Sequence, residues 1–247
     1  MLNYKLPKNI IFACTAALLL WFATPAASTE NYPLFEAVYK AKIKIAGGKV
    51  RLSTTKNVNG VYTFEYMVIP GKLISLLTSG ELKETTQFEV IDGRPRTLDY
   101  TLTNTIGSKP RNGHVTFDWT ENSIKGNYKQ NIIDIPMPEN AVDRAMLQLV
   151  LMADLKNDDL KEQYAVYDKD EFIPINVERI GTESVKVPIG TFSTVVLRHS
   201  SKDGSSETLL WCAEELDYLP VRIQSSDDGS KVLVANLSTI TGSLGNR

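Results

Sequence analysis

From Phe35 onward apolar and polar side chains alternate with period two, broken at short intervals by turn residues. Lys42-Ile43-Lys44-Ile45 and Lys49-Val50-Arg51-Leu52 alternate on either side of Gly47-Gly48, which predicts a hairpin turning at the glycines with one face in water. Asn59-Gly60, Asp92-Gly93, Asp203-Gly204 and Asp228-Gly229 sit between further strand-like runs. Both residues of such pairs reach positive φ at little cost, so an antiparallel meander is predicted. Further strands are read at Glu84 to Ile91, Arg96 to Asn104, His114 to Trp119, Ser123 to Tyr128 and Glu162 to Tyr167, and again at Ile173 to Val187, Thr191 to His199, Ser206 to Cys212, Leu219 to Gln224 and Lys231 to Leu237. So many strands cannot stay in one flat sheet. The fold class expected is mainly β, an antiparallel curved sheet or incomplete barrel with one prominent helix.

That helix is predicted from Asn140 to Leu155, with Asn140 as N-cap and Asp143 in the first turn, where a carboxylate suits the positive helix end. Met146, Leu149 and Met152 mark an apolar face, while Leu147, Val150 and Leu151 extend apolarity nearly all round, so the helix must be covered on more than one side. It either packs across the sheet as core or lines a ligand cavity. A second apolar segment, Pro70 to Gly80, carries Leu73, Ile74, Leu76 and Leu77 between glycines and is too short for a stable isolated helix. It either tucks under the sheet as a plug or forms an apolar lip. The candidate ligand-binding residues are therefore Leu73, Ile74, Leu76, Leu77, Met146, Leu149 and Val150.

The amino terminus changes the picture by setting a compartment. Lys5 and Lys8 precede an apolar run from Ile10 to Ala23, and Thr24-Pro25-Ala26-Ala27-Ser28 provides small residues for cleavage. Residues 1–28 are expected to be a secretory signal peptide and 29–247 a single β-rich domain in the periplasm, with an uncleaved anchor as the alternative. Cys14 lies inside the apolar run rather than after it, which argues against lipidation there. Once the signal leaves, Cys212 is the sole thiol and no internal disulfide can form. Loss of Lys5 and Lys8 leaves 25 basic against 29 acidic side chains, a net charge of −4. Without a basic cluster to displace counterions, a nucleic-acid partner is not expected.

Catalytic constellations are not apparent. His114 and His199 both fall in strand-like runs outside any metal-binding frame, and each is read as a surface or rim residue. No G-x-S-x-G elbow occurs. Cys212, following Trp211 in an apolar strand end, is expected to be buried and inert. Asp168-Lys169-Asp170-Glu171 lacks the glycine and distal glutamate of a calcium loop, and Asp227-Asp228-Gly229-Ser230 is read as a hairpin turn. Lys42, Lys44, Lys49 and Arg51 occupy the alternate positions that a membrane barrel would turn to lipid, which argues against that class. No cofactor or metal is implied.

The Tyr39 to Lys49 hairpin, Gly93-Arg94-Pro95 before a strand, and the Asp143 segment lead to a carboxyl part with a distinctive pattern. There Val185-Lys186-Val187-Pro188-Ile189-Gly190-Thr191-Phe192-Ser193-Thr194 precedes Leu210-Trp211-Cys212 and Asp217-Tyr218-Leu219-Pro220-Val221-Arg222-Ile223. From about Phe35 to Ile223 the chain resembles the bacterial domain-of-unknown-function family numbered 3108, exported proteins of the cell envelope. The resemblance implies no known reaction. The same strand-turn-strand logic occurs in periplasmic lipoprotein carriers whose curved half-barrels shield acyl chains, a likeness of architecture only. The expected function is a non-enzymatic carrier or binder of an apolar ligand, a lipid or acyl chain, in the cell envelope. The alternatives are an interaction or assembly module binding another envelope protein, and an enzyme acting on envelope polysaccharide or lipid.

Overall fold

Side-chain alternation turns most of the chain into strand in the computed structural model, which describes residues 32–43, 46–71, 80–106 and 109–245. The first half runs through β1 (Phe35–Ile43), β2 (Ala46–Lys56), β3 (Tyr62–Pro70), β4 (Leu82–Ile91), β5 (Arg94–Asn104), β6 (Arg111–Asp118), β7 (Ser123–Tyr128) and β8 (Asn131–Pro136). The second half has β9 (Ala141–Asp143), helix α1 (Leu147–Lys156), β10 (Gln163–Asp168), β11 (Glu171–Val187), β12 (Gly190–Ser201), β13 (Ser206–Ala213), β14 (Leu219–Asp227) and β15 (Ser230–Gly242). All fifteen strands form one sheet, ordered β8-β7-β6-β5-β4-β3-β2-β1-β15-β14-β13-β12-β11-β10-β9. Each half is a meander, and β1 pairs with β15 to join them.

The chain path dictates the curvature. β8 and β9 end the sheet on opposite sides, yet only Met137 to Asn140 connect them. A link of that length reaches at most about 18 Å, so the sheet must curl until its two ends approach. The ends do not pair, and the result is an incomplete barrel. One face of each strand points into the curl. Tyr39, Leu52, Phe64, Phe88, Leu197 and Leu237, from six different strands, are fully enclosed there. The opposite face carries ion pairs such as Lys83 to Glu65 and Arg198 to Glu178, as the alternating charges require.

A bulge lets β5 keep its inward residues. Gln87 faces Asp99 but Phe88 faces Thr97, so Leu98 is an extra residue and Pro95, Thr97, Tyr100 and Leu102 all remain buried. Asp92-Gly93 and Asp228-Gly229 close their hairpins with both residues at positive φ, the geometry that matches strand twist.

Two predicted elements differ. The first hairpin does not turn at Gly47-Gly48; Ile43 pairs with Ala46, and the glycines lie within β2 opposite Lys42 and Ala41. Gly48 passes so near β3 that an added Cβ would stand 2.9 Å from the Ile69 carbonyl oxygen. Close backbone approach, rather than turn geometry, is what glycine serves here. The helix begins at Leu147, not after Asn140. Ala141 to Asp143 instead pair in parallel with β10, and these three fully buried residues satisfy their backbone in the sheet. Asn140 is not the cap: it adopts a left-handed φ of 55°. The Asp143 carboxylate accepts from the N–H groups of Ala145 and Met146, at 3.0 Å each. β8 was also unanticipated as a strand.

Helix α1 lies against the sheet's interior and is buried on nearly every side. Asp154, in its last turn, receives two hydrogen bonds from Arg94 of β5 and one from the Tyr164 hydroxyl of β10. The helix thus connects strands from both halves of the sheet. Residues 1–28, read above as a signal, fall outside the described residues, as do 72–79.

Candidate functional site

Curling the sheet around α1 leaves a cavity of about 440 Å³ beside the helix. Helical spacing decides which residues see it. Leu147, Gln148 and Leu151 share one face and line the cavity, joined by Arg144 and Ala145 just before the helix. Met146 and Leu149 point the other way, fully buried in the core, and Val150 borders a separate hollow of about 180 Å³ with Arg94, Thr97 and Trp119. Of the predicted ligand residues, Met146 and Leu149 are therefore core beside the cavity rather than its lining. Leu73, Ile74, Leu76 and Leu77 lie outside the described residues.

Most of the wall is apolar, with Val50, Val166, Ile175, Leu210, Ile223 and Leu233 arriving from six strands of both halves. One side differs. Glu84 of β4, an inward position by alternation, is almost wholly buried and takes a forked pair of hydrogen bonds from Arg144. The Tyr100 hydroxyl donates to the same carboxylate at 2.8 Å. Asp168 stands 3.6 Å from the other guanidinium nitrogen. Burial alone would lower the Arg144 pKa, but the charge and hydrogen bonds of Glu84 more than reverse this. Burial first, then the Glu84 charge, pushes the nearby Tyr66 phenol up to about 12. Two of the guanidinium's nitrogens are thus bonded to Glu84 and the third faces Asp168, so the cluster forms a polar wall.

The rim is polar: Ser201, Ser206, Glu207, Thr208 and Ser225 come from the ends of β12, β13 and β14. Between rim and depth sits His199, two residues from buried Leu197 and two from Ser201 on the inward face of β12. Burial pushes its imidazole pKa down to about 4, so the ring is neutral at pH 7. It makes no hydrogen bond among the described residues, whereas His114, on the outer face, bonds Asp99 at 2.8 Å. Gln148 supplies a further unsatisfied group. Its side-chain nitrogen is buried without a hydrogen bond of normal geometry, although the side chain lies beside Tyr39. Such an orphan donor on a cavity wall is a place where a ligand acceptor would gain.

Sequence reasoning placed His199 at the surface or rim and did not single out Glu84, Arg144 or Gln148. Period-two alternation from Leu197 was the available signal for His199; the others depend on pairings between strands remote in sequence.

The family model described as "Protein of unknown function (DUF3108)" matches residues 35–236. The chain belongs to this family. The DUF3108 match covers the whole meander apart from its last few residues and includes every strand that lines the cavity. Among solved structures, the chain is similar to a crystal structure titled as a beta-barrel-like protein of domain of unknown function DUF1849 from Brucella abortus. The likeness has a TM-score of 0.55 and 11% identity, covering 86% of this chain and 98% of that one. At that identity the likeness is one of fold. No curated protein matches the chain.

Proposed function

We propose that this DUF3108 protein is a non-enzymatic carrier or binder of an apolar ligand, a lipid or acyl chain, and that it works in the periplasm after export by its amino-terminal signal. The observation that carries the reading is the cavity of about 440 Å³, walled by apolar side chains from both halves of the sheet and by one face of α1. Its size lies in the range of small-molecule sites, roughly 300 to 1,000 Å³, and its few convergent polar groups match how such sites orient a ligand. An acyl chain gains by leaving water for such a cavity, at about 0.8 kcal/mol per buried methylene.

The test is uptake of an environment-sensitive acyl probe by the purified protein. Thr208→Trp places an indole at the cavity rim beside Ser225, with which the Thr208 hydroxyl now shares a hydrogen bond at 2.9 Å. Saturable uptake that this substitution abolishes, at unchanged melting temperature, supports the reading. Absence of uptake by the unmodified protein contradicts it.

A second reading, an assembly module, is favoured by one feature. β8 ends the sheet, with its Ile132 side chain 88% exposed. An unpaired edge of this kind is a template for strand addition. That reading predicts a stable envelope partner in cross-linking pull-downs, lost on Ile132→Lys.

A further inference from the structure

The charged groups of the cavity's polar wall are paired with one another, and this bears on the head group of its ligand. Three carboxylates, Glu84, Asp168 and Glu207, border the space, against the single guanidinium of Arg144. That guanidinium forks onto Glu84 and abuts Asp168. Among the described residues, an incoming anion would meet no cation on this wall that is not already paired with a carboxylate. Two further cations stand at its edge, both paired: Lys169, 3.5 Å from Asp168, and Arg198, 3.9 Å from Glu207. His199, the remaining basic group facing the space, stays neutral at pH 7 because burial disfavours its charged form.

The unsatisfied groups point the same way. Gln148 presents a buried amide nitrogen whose nearby partner, Tyr39, is not placed for a hydrogen bond of normal geometry, so a ligand acceptor would be better met. The neutral His199 ring carries one donor and one acceptor and has no hydrogen bond among the described residues. Together they match a head group that both gives and receives hydrogen bonds and bears no charge.

We propose that the cavity selects acyl amphiphiles with an uncharged hydroxyl, ester or amide head over anionic ones of the same chain length, by virtue of Gln148, His199 and the Glu84, Arg144 and Asp168 wall. This rests on the proposed function above and adds the chemical class of the ligand. The chain is held by the apolar walls, and the head sits between α1 and β12. A carboxylate or phosphate head brought to the same place loses its water, finds each described cation already paired, and cannot recruit Arg144 without breaking its fork onto a buried carboxylate.

The test compares a monoacylglycerol with the fatty acid of the same chain length at pH 7.5, each competing for the acyl probe in the full chain. The expected result is that the monoacylglycerol binds at least about tenfold more tightly, a margin that desolvating an unpaired anionic head can supply. Asp168→Asn removes one carboxylate at a partly exposed position and is expected to narrow the ratio several-fold. Glu207→Gln, at the rim, is a second variant that does not touch the buried cluster and is expected to narrow it less. Equal affinities, a preference for the fatty acid, or a ratio indifferent to both substitutions would overturn the inference while leaving the carrier reading intact. Binding of neither compound would sink the carrier reading itself.

Discussion

The Thr97 hydroxyl donates to Asp143 Oδ2 at 2.6 Å, joining β5 to the strand that ends the opposite side of the sheet. Thr86 of β4 donates to the other carboxylate oxygen at 3.0 Å, and the N–H groups before α1 complete the shell. One fully buried carboxylate therefore fastens the curl and the turn that leads into the helix. We predict that Asp143→Ala destabilises the fold by at least about 2 to 4 kcal/mol, since it orphans several buried donors at once. Chemical denaturation checks this; a change below about 1 kcal/mol would mean the curl is held elsewhere.

The pH dependence has two opposed contributions. Burial pushes the Asp143 carboxyl up to about 6 from its ordinary 3.8, so between those values the folded chain holds a proton that the unfolded chain has lost, and stability falls as pH rises. His199 is pushed down from 6.5 to about 4, so over much the same window the unfolded chain takes up a proton that the folded chain refuses, and stability falls as pH drops. Each amounts to at most about 3 kcal/mol. We predict a nearly flat profile from pH 4 to 6.5 for the unmodified protein. His199→Gln is expected to leave stability declining with rising pH, and Asp143→Asn to leave it climbing. Parallel profiles for the two variants would refute the assignment.

The two sides of α1 are predicted to separate stability from capacity. Leu149 is fully enclosed in the core, and truncating it to Ala is expected to cost about 2 to 5 kcal/mol. Leu147 faces the cavity, and Leu147→Phe is expected to shorten the longest acyl chain accepted at near-constant melting temperature. Chain-length series on both variants decide the matter; identical behaviour would show that the helix has no distinct cavity face.

Cys212 is enclosed among apolar neighbours, and burial pushes its thiol well above the usual range. Native labelling by a thiol reagent is predicted to be slow and to accelerate with denaturant in step with global unfolding. Fast labelling in buffer would place this strand at an exposed rim. Trp211, its neighbour, points to the other face, where its indole N–H donates to Glu183 at 2.7 Å and Arg222 stacks over the ring.

Strand periodicity made most of this sheet legible, because alternation is written locally and a half-wet strand shows it plainly. The Asp-Gly hairpins were legible for the same reason. Ala141 to Asp143 misled because a tripeptide beside a helix is too short to show a period of its own, and its partner in β10 lies more than twenty residues away. Gly47-Gly48 looked like a turn since glycine serves close approach as well as turns. The apolar richness of the 146 to 155 segment pointed to the cavity's neighbourhood, but which face lines it depends on where the strands wrap. The polar wall arises from β4, β10 and the Arg144 turn meeting in space, and nothing local announces it.

Native mass spectrometry of the protein purified from its own host tests the central claim most directly. The account predicts a discrete adduct that dissociates under mild activation, extracts into organic solvent as an uncharged acyl compound, and is absent from the Thr208→Trp variant. A clean mass of the chain alone, together with failure to take up a monoacylglycerol, would contradict it.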